Sequence, residues 1–216
     1  MLYLKGIHYH PATSEFPILK EVNLYGQKGM PVIVWGQSGS GKTSLLEIIS
    51  GLAKPNKGLI TWDNKIVKEK NRRKLSGLVF QFPERHFIGL TISQELRIGY
   101  RRLSGESQEK ALHKVGLGSI DIRKPPEKLS GGQQRRLAIA VQLIRKPEIL
   151  LLDEPTAGLD WSVRNEILDL ILKLSKDQLV IIVTHEIELF NDMTINSYKL
   201  KRGQLEYNSK SEEEVS

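Results

Sequence analysis

Two periods alternate in the apolar positions of this chain. Val32 to Trp35, Leu78 to Phe80, Ile149 to Leu152 and Leu179 to Val183 are short aliphatic or β-branched runs, each closed by a turn or a polar residue, and they predict buried strands. Lys42 to Ser50, Arg135 to Leu143 and Ser162 to Leu174 carry apolar residues at helical spacing. Strands alternating with helices imply an α/β core, a mainly parallel sheet covered on both faces. Residues 1–30 and 58–67 depart from this rhythm as short strands with tight turns, which predicts an antiparallel β layer beside the main sheet. Residues 91–118 read as helices broken at Leu103 to Gly105, and Pro125 and Pro126 close the segment. The expectation is one domain over residues 1–216, with an α-helical lobe over about 88–128 inserted in the core and a mobile acidic tail at 207–216.

Two glycine turns interrupt these periods. The first, Gly36-Gln37-Ser38-Gly39-Ser40-Gly41-Lys42-Thr43, fits G-x-x-x-x-G-K-[ST] and lies between a predicted strand and a predicted helix. Glycines there let backbone N–H groups turn inward around phosphate oxygens, and the helix start adds partial positive charge. Lys42 is placed to reach the β and γ phosphates and Thr43 to ligate Mg²⁺. A P-loop of this kind does not specify the reaction. Further along, the apolar strand at Ile149 to Leu152 runs into Asp153 and Glu154, which puts Asp153 beside the loop to hold Mg²⁺ through water. Glu154, one residue on, is a candidate general base for an attacking water. Gln81 and His185 each follow a predicted strand at the same edge. Taken alone, each is an ordinary surface or structural residue.

The second turn, Ser130-Gly131-Gly132-Gln133, has the spacing of a capping box, with Ser130 as N-cap and Gln133 at the third helical position. That accounts for the serine and the glutamine. It leaves two glycines at a helix start, where glycine is a poor helix former, unless something such as an anion must approach the backbone.

Composition narrows the classes. The chain has 216 residues, 39% of them hydrophobic, enough for one substantial core. With no cysteine there is no disulfide framework and no thiolate metal site. No apolar run approaches the roughly 18–20 residues that cross a bilayer, and MLYLKGIHYHP at the N-terminus reads as a first strand and not as a secretory signal. The expected location is therefore cytoplasmic. A net charge of +7 invites a nucleic-acid reading, but Lys68 to Lys74 and Arg101 to Arg102 are scattered groups without interleaved aromatics, which reads as solvated surface.

With LSGGQ at Leu129 to Gln133, GQSGSGKT upstream, LLLDEP at Leu150 to Pro155, AGLD at Ala157 to Asp160 and THE at Thr184 to Glu186, all in the family's order, the chain resembles the ATP-binding-cassette (ABC) ATPases over essentially its whole length. The resemblance implies a P-loop NTPase fold and an ATP hydrolase that pairs head to tail with a second cassette, identical or paralogous, around two ATP. It implies that Gly36 to Thr43, with Ser44, Gln81, Asp153, Glu154 and His185, act on ATP held by their own subunit. Ser130, Gly132 and Gln133 then touch the partner's ATP, and Asp160 lies at the interface. VFQFPERHF at Val79 to Phe87 is similar to ATPases of energy-coupling-factor and cobalt-type importers, which take up vitamins and metal ions. Such subunits work on the cytoplasmic face of a membrane, with transmembrane subunits docking on the helical lobe. The family usually stacks adenine on an aromatic near the first strand; here HYHP offers His8, Tyr9 and His10, and the register before Pro11 favours His10 over Tyr9. The alternative expectation is a soluble ABC ATPase acting on nucleic acid or ribosomes.

Overall fold

Alternation along the apolar strands sorts their side chains onto two faces, and both faces are covered. In the computed structural model, which describes residues 1–191 and 193–208, the chain begins with β1 (Leu2–Tyr9), β2 (Leu19–Gly26) and β3 (Val32–Trp35). α1 (Lys42–Ser50), β4 (Lys57–Trp62), β5 (Lys65–Ile66), α2 (Glu69–Leu75) and β6 (Ser76–Val79) follow. Then come α3 (Ile92–Arg97), α4 (Gly105–Lys114), α5 (Gly131–Ile144), β7 (Ile149–Asp153) and α6 (Trp161–Ser175). The last elements are β8 (Leu179–Thr184), β9 (Asn196–Lys201) and β10 (Gln204–Asn208).

Among the described residues, six strands form the main sheet in the order β10-β9-β3-β8-β7-β6, parallel except for the antiparallel pairing of β9 with β10. Leu150, Leu152, Val180 and Ile182 face α5 and α6 residues such as Leu137 and Ile171, in a core that also takes in Ile92 and Leu96 of α3 and Leu112 of α4. Ile149, Leu151, Ile181 and Val183 face the other way, onto α1 and onto Leu2, Leu4 and Leu24 of a second sheet. That second sheet is antiparallel, in the order β2-β1-β4-β5. Two-sided coverage explains why the parallel strands read as continuous apolar runs while β1, packed on one side, alternates.

The structure adds elements and corrects others. β9 and β10 extend the main sheet beyond the strands read from the sequence, and β10 claims Tyr207 and Asn208 from the expected tail; residues 209–216 lie outside the described residues. β6 ends at Val79, so Gln81 stands two residues past the strand and not at its end. The basic group at Lys68 to Lys74 forms α2, and its Arg72 is buried, not solvated. The Arg72 guanidinium donates to the carbonyls of Ile48, Val67 and Ala53, at 2.9, 3.0 and 3.3 Å, and so closes the end of α1.

Candidate functional site

Four of the parallel strands deliver chemical groups to a common edge. β3 leads into Gly36 to Thr43, β7 ends on Asp153 with Glu154 next, β8 is followed by His185, and β6 by Gln81. Sheet order makes these groups neighbours, although they are up to 149 residues apart in the chain (His185 minus Gly36).

The loop conformation depends on glycine at particular points. Gly39 and Gly41 have φ of +77° and +103°, in the left-handed region, and a Cβ on Gly41 would press Ile18 Cγ2 at 2.9 Å. Gly36 has no room for a side chain because the carbonyl of Leu200 would lie 2.3 Å from its Cβ. The loop is thus held between the start of β2 and the β9–β10 hairpin. Ser40 Oγ is buried with no hydrogen-bond partner, and Gly39 has open space above it, so the loop presents an orphaned polar atom to whatever it encloses.

Lys42, Asp153 and Glu154 are all buried. The Lys42 ammonium donates to the carbonyls of Gly36 and Gln37, at 2.8 and 3.2 Å, and lies 3.8 Å from Glu154 Oε1. Thr43 Oγ1 donates to Asp153 Oδ2 at 2.8 Å, which joins α1 to β7. Burial raises the Asp153 carboxyl above its ordinary range; the Thr43 bond opposes this, the Glu154 charge adds to it, and Lys42 opposes it. Glu154 has φ +46°, an uncommon conformation for a residue with a side chain, and is gripped from several sides. Its amide donates to Val183 O at 2.9 Å. Its carboxylate accepts from the His185 amide at 3.3 Å and lies 2.9 Å from His185 Nδ1.

A cavity of about 720 Å³ runs from this centre. Its wall includes Ser38 to Ser44, Gln81, Asp153 and Glu154, together with Phe16, Ile18, Lys20 and Arg202. His10 is not in that wall: its Nε2 lies 2.9 Å from the carbonyl of Ser14. Phe16, 68% exposed, is the aromatic residue in that wall. Sequence reading missed it because Phe16 stands in a loop with no periodicity, and only its nearness to Pro17 and β2 marks it. A smaller recess beneath Asp153 is lined by Thr43, Phe80, Gln81 and His86. Phe80 and His86 also line an apolar groove of about 260 Å³, with Phe87, Ile88, Ile98 and Ala138, so the two depressions share a wall.

The second glycine turn stands apart. Its capping box is present: Gln133 N donates to Ser130 Oγ at 3.3 Å, and Ser130 N to Gln133 Oε1 at 3.0 Å. Ser130, Gly131 and Gln133 are exposed, and none of them lines the cavity around Lys42. Gly132 has an internal reason that the sequence did not reveal, since its Cβ would meet Val163 Cγ1 at 2.4 Å; Gly131 meets only Leu159 Cδ2, at an ordinary 3.6 Å. Asp160 is exposed at the N-cap of α6 and makes no side-chain cap bond.

A phosphate loop, two strand-end carboxylates and a detached LSGGQ turn coincide with a family match over residues 19–157, described as ABC transporter. The chain belongs to the ABC transporter family. It is an ATP-binding cassette and an ATP hydrolase with a P-loop NTPase fold. Among its relatives is the energy-coupling factor transporter ATP-binding protein EcfA2 of Clostridium acetobutylicum, 40% identical over 195 residues, which cover 83% of this chain and 68% of the relative. Among solved structures, CbiO1 of Clostridium perfringens, part of the ABC transporter complex CbiONQ, has a TM-score of 0.86 at 30% identity, covering 95% of this chain and 86% of the other. The cassette MJ0796, solved as a dimer in a post-hydrolysis state with ADP and Pi, has a TM-score of 0.78 at 33% identity, covering 95% and 97%. The match favours transport over the nucleic-acid reading. No helix among the described residues of this cassette is long and apolar enough to cross a membrane.

Proposed function

We propose that this cassette works as one half of a head-to-tail pair that encloses two ATP and drives transmembrane partners from the cytoplasmic face of a membrane. The observation that carries the reading is the exposed Ser130 turn, capped and rigid yet away from its own phosphate loop. Ser130 Oγ accepts the cap bond and keeps its own proton to donate, and the exposed Gly131 leaves the helix start open to an anion.

In this reading Gly36 to Ser44 wrap the phosphates of the subunit's own ATP, and Lys42 exchanges its loop carbonyls for β and γ oxygens. Phe16, and not His10, provides the adenine platform. Thr43 and Asp153 fit a hard cation, with oxygen donors already 2.8 Å apart and a carboxylate that burial leaves in want of positive charge. Mg²⁺ bound there neutralises charge on the transferring phosphate. Gln81, which lines the recess, would help Thr43 and Asp153 hold that cation and would orient the attacking water. Glu154 takes a proton from the attacking water, and His185 holds the carboxylate on line. Ser130, Gly132 and Gln133 face the ATP of the partner, and Asp160, free of any cap bond, lies at the interface and links the two sites.

The lobe at 88–128 receives the membrane subunits in the groove lined by Ile88 and Ile98, whose shared wall of Phe80 and His86 abuts the metal recess. The segment Val79 to Phe87 and the likeness to EcfA2 and CbiO1 support vitamin or metal-ion uptake as the process served.

Glu154→Gln tests the pairing. The variant is expected to bind ATP, to lose turnover by about 10²- to 10⁴-fold, and to elute as a dimer when ATP and Mg²⁺ are present. A protein that stays monomeric at saturating ATP and Mg²⁺ overturns the head-to-tail reading.

A further inference from the structure

Arg135 lies in the second turn of α5, just after the exposed residues that begin that helix, and is 2% exposed. Its guanidinium donates through Nη1 to the carbonyl of Glu154 at 3.3 Å and through Nη2 to the carbonyl of Ala157 at 3.1 Å. Nε has no partner. Burying a guanidinium against neutral carbonyls, with one donor unsatisfied, costs folding free energy, and an apolar residue of similar length would avoid that cost. Burial also pulls the Arg135 pKa below its usual value, with the Glu84 charge opposing. Such an arrangement calls for a role beyond packing.

The two carbonyls bracket one turn. Glu154 O also accepts from Ala157 N at 3.1 Å, so the fork of Arg135 fixes both ends of the turn from the left-handed Glu154 to Ala157, which leads on through Gly158, at φ +72°, to Asp160. The two Nη groups of a planar guanidinium hold these acceptors in a fixed relative geometry, which the single rotatable ammonium of a lysine does not impose. Side chains at the start of α5 and the carboxylate of Glu154 are therefore linked by one buried residue on one rigid helix.

We infer that Arg135 is a positioning residue that couples the two ATP sites of the dimer within a single chain. Contact of Ser130 and Gly132 with the partner's ATP seats α5, and Arg135 passes that seating to the Glu154–Ala157 turn, which sets Glu154 for its own ATP. The inference rests on the head-to-tail reading above.

Arg135→Lys and Arg135→Gln test it, the first keeping charge and the second keeping one amide donor. Both are assayed for ATP affinity with a fluorescent ATP analogue, for kcat, KM and Hill coefficient in ATP hydrolysis, and for Tm. The expected result is an affinity within about threefold of wild type, kcat reduced by about 10²-fold, the scale of a misplaced catalytic group, and a Hill coefficient that falls from above 1 to 1 in protein that melts cooperatively. Wild-type kcat and Hill coefficient in either folded variant overturn the inference. So does a parallel fall of affinity, kcat and Tm, which marks a structural role alone. ATP-dependent dimerisation of the Glu154→Gln protein, measured beside the Arg135 variants, separates the two readings. If Glu154→Gln itself fails to dimerise with ATP, the pairing and the coupling both fall. If it dimerises while the Arg135 variants keep wild-type cooperativity, only the coupling falls.

Discussion

Burial lifts the Asp153 carboxyl above its ordinary value, with the Thr43 hydroxyl and the Lys42 ammonium only opposing the shift. The folded protein therefore holds that proton more tightly than the unfolded chain does. Linkage then gives a stability contribution that falls as pH rises from the unfolded value of 3.8 through the raised folded one, and stays lost at neutral pH. Asp153→Asn should raise the Tm of the nucleotide-free protein at pH 7 and abolish Mg²⁺-dependent hydrolysis; differential scanning calorimetry at pH 5 and pH 7 checks the sign, and a Tm at or below wild type at pH 7 refutes it. Phe16 is argued at the same scale. An aromatic stack is worth about 0.5–1.5 kcal/mol beyond its area, or roughly 2- to 12-fold in equilibrium terms. Phe16→Ala should raise the KM for ATP by that factor at unchanged kcat, and steady-state kinetics over an ATP series would reveal whether His10→Ala does so instead.

At the scale of elements, α5 distinguishes two glycines that look alike in the sequence. Gly132→Ala drives a methyl into Val163, a stiff β-branched neighbour, and overpacking of that kind costs about 1–3 kcal/mol. Gly131→Ala meets only ordinary contact and should leave Tm unchanged, or raise it slightly through helix propensity, while weakening ATP-dependent dimerisation of the Glu154→Gln protein. Thermal melts paired with light scattering separate the two effects. The same contrast shows what could be read beforehand. Strand ends and the phosphate loop were legible because two-sided burial writes continuous apolar runs, and because a glycine loop between strand and helix has few other uses. β9 and β10 were not, since Tyr198, Leu200 and Leu205 alternate with Lys199, Lys201 and Glu206, and a hairpin at a sheet edge needs apolar residues on one face only. α2 was hidden by its charge: Arg72 buries a guanidinium by finding three carbonyls, which no local pattern announces. Arg135 escaped for the same reason, its carbonyl partners lying 19 and 22 residues along the chain, and Phe16 because its loop carries no periodicity.

For the whole molecule, the groove proposed to receive the membrane subunits is the feature open to test without knowing the partner. Ile88 is 76% exposed on its rim, and the buried carboxylate of Glu95 holds the turn there by accepting from the amides of Ile88 and Gly89, at 3.0 and 2.7 Å. Ile88→Asp should leave the hydrolysis of the isolated cassette within about twofold of wild type, because Ile88 touches none of the residues around Lys42, yet release the protein from washed membranes of cells that produce it. Immunoblots of membrane and supernatant fractions read the outcome, and full retention on membranes counts against docking at this groove.

The two-sided burial of β7 and β8 carries a consequence for motion. Every residue of these strands is buried, so their amides should exchange with deuterium only when the entire cassette unfolds. The carboxyl ends that present Asp153 and His185 are then fixed points on the timescale of turnover. On the head-to-tail reading, opening and closing fall to segments beyond the strand ends such as Gln81 to Ile88, and deuterium uptake during steady hydrolysis should rise and fall there while the strands behind remain silent.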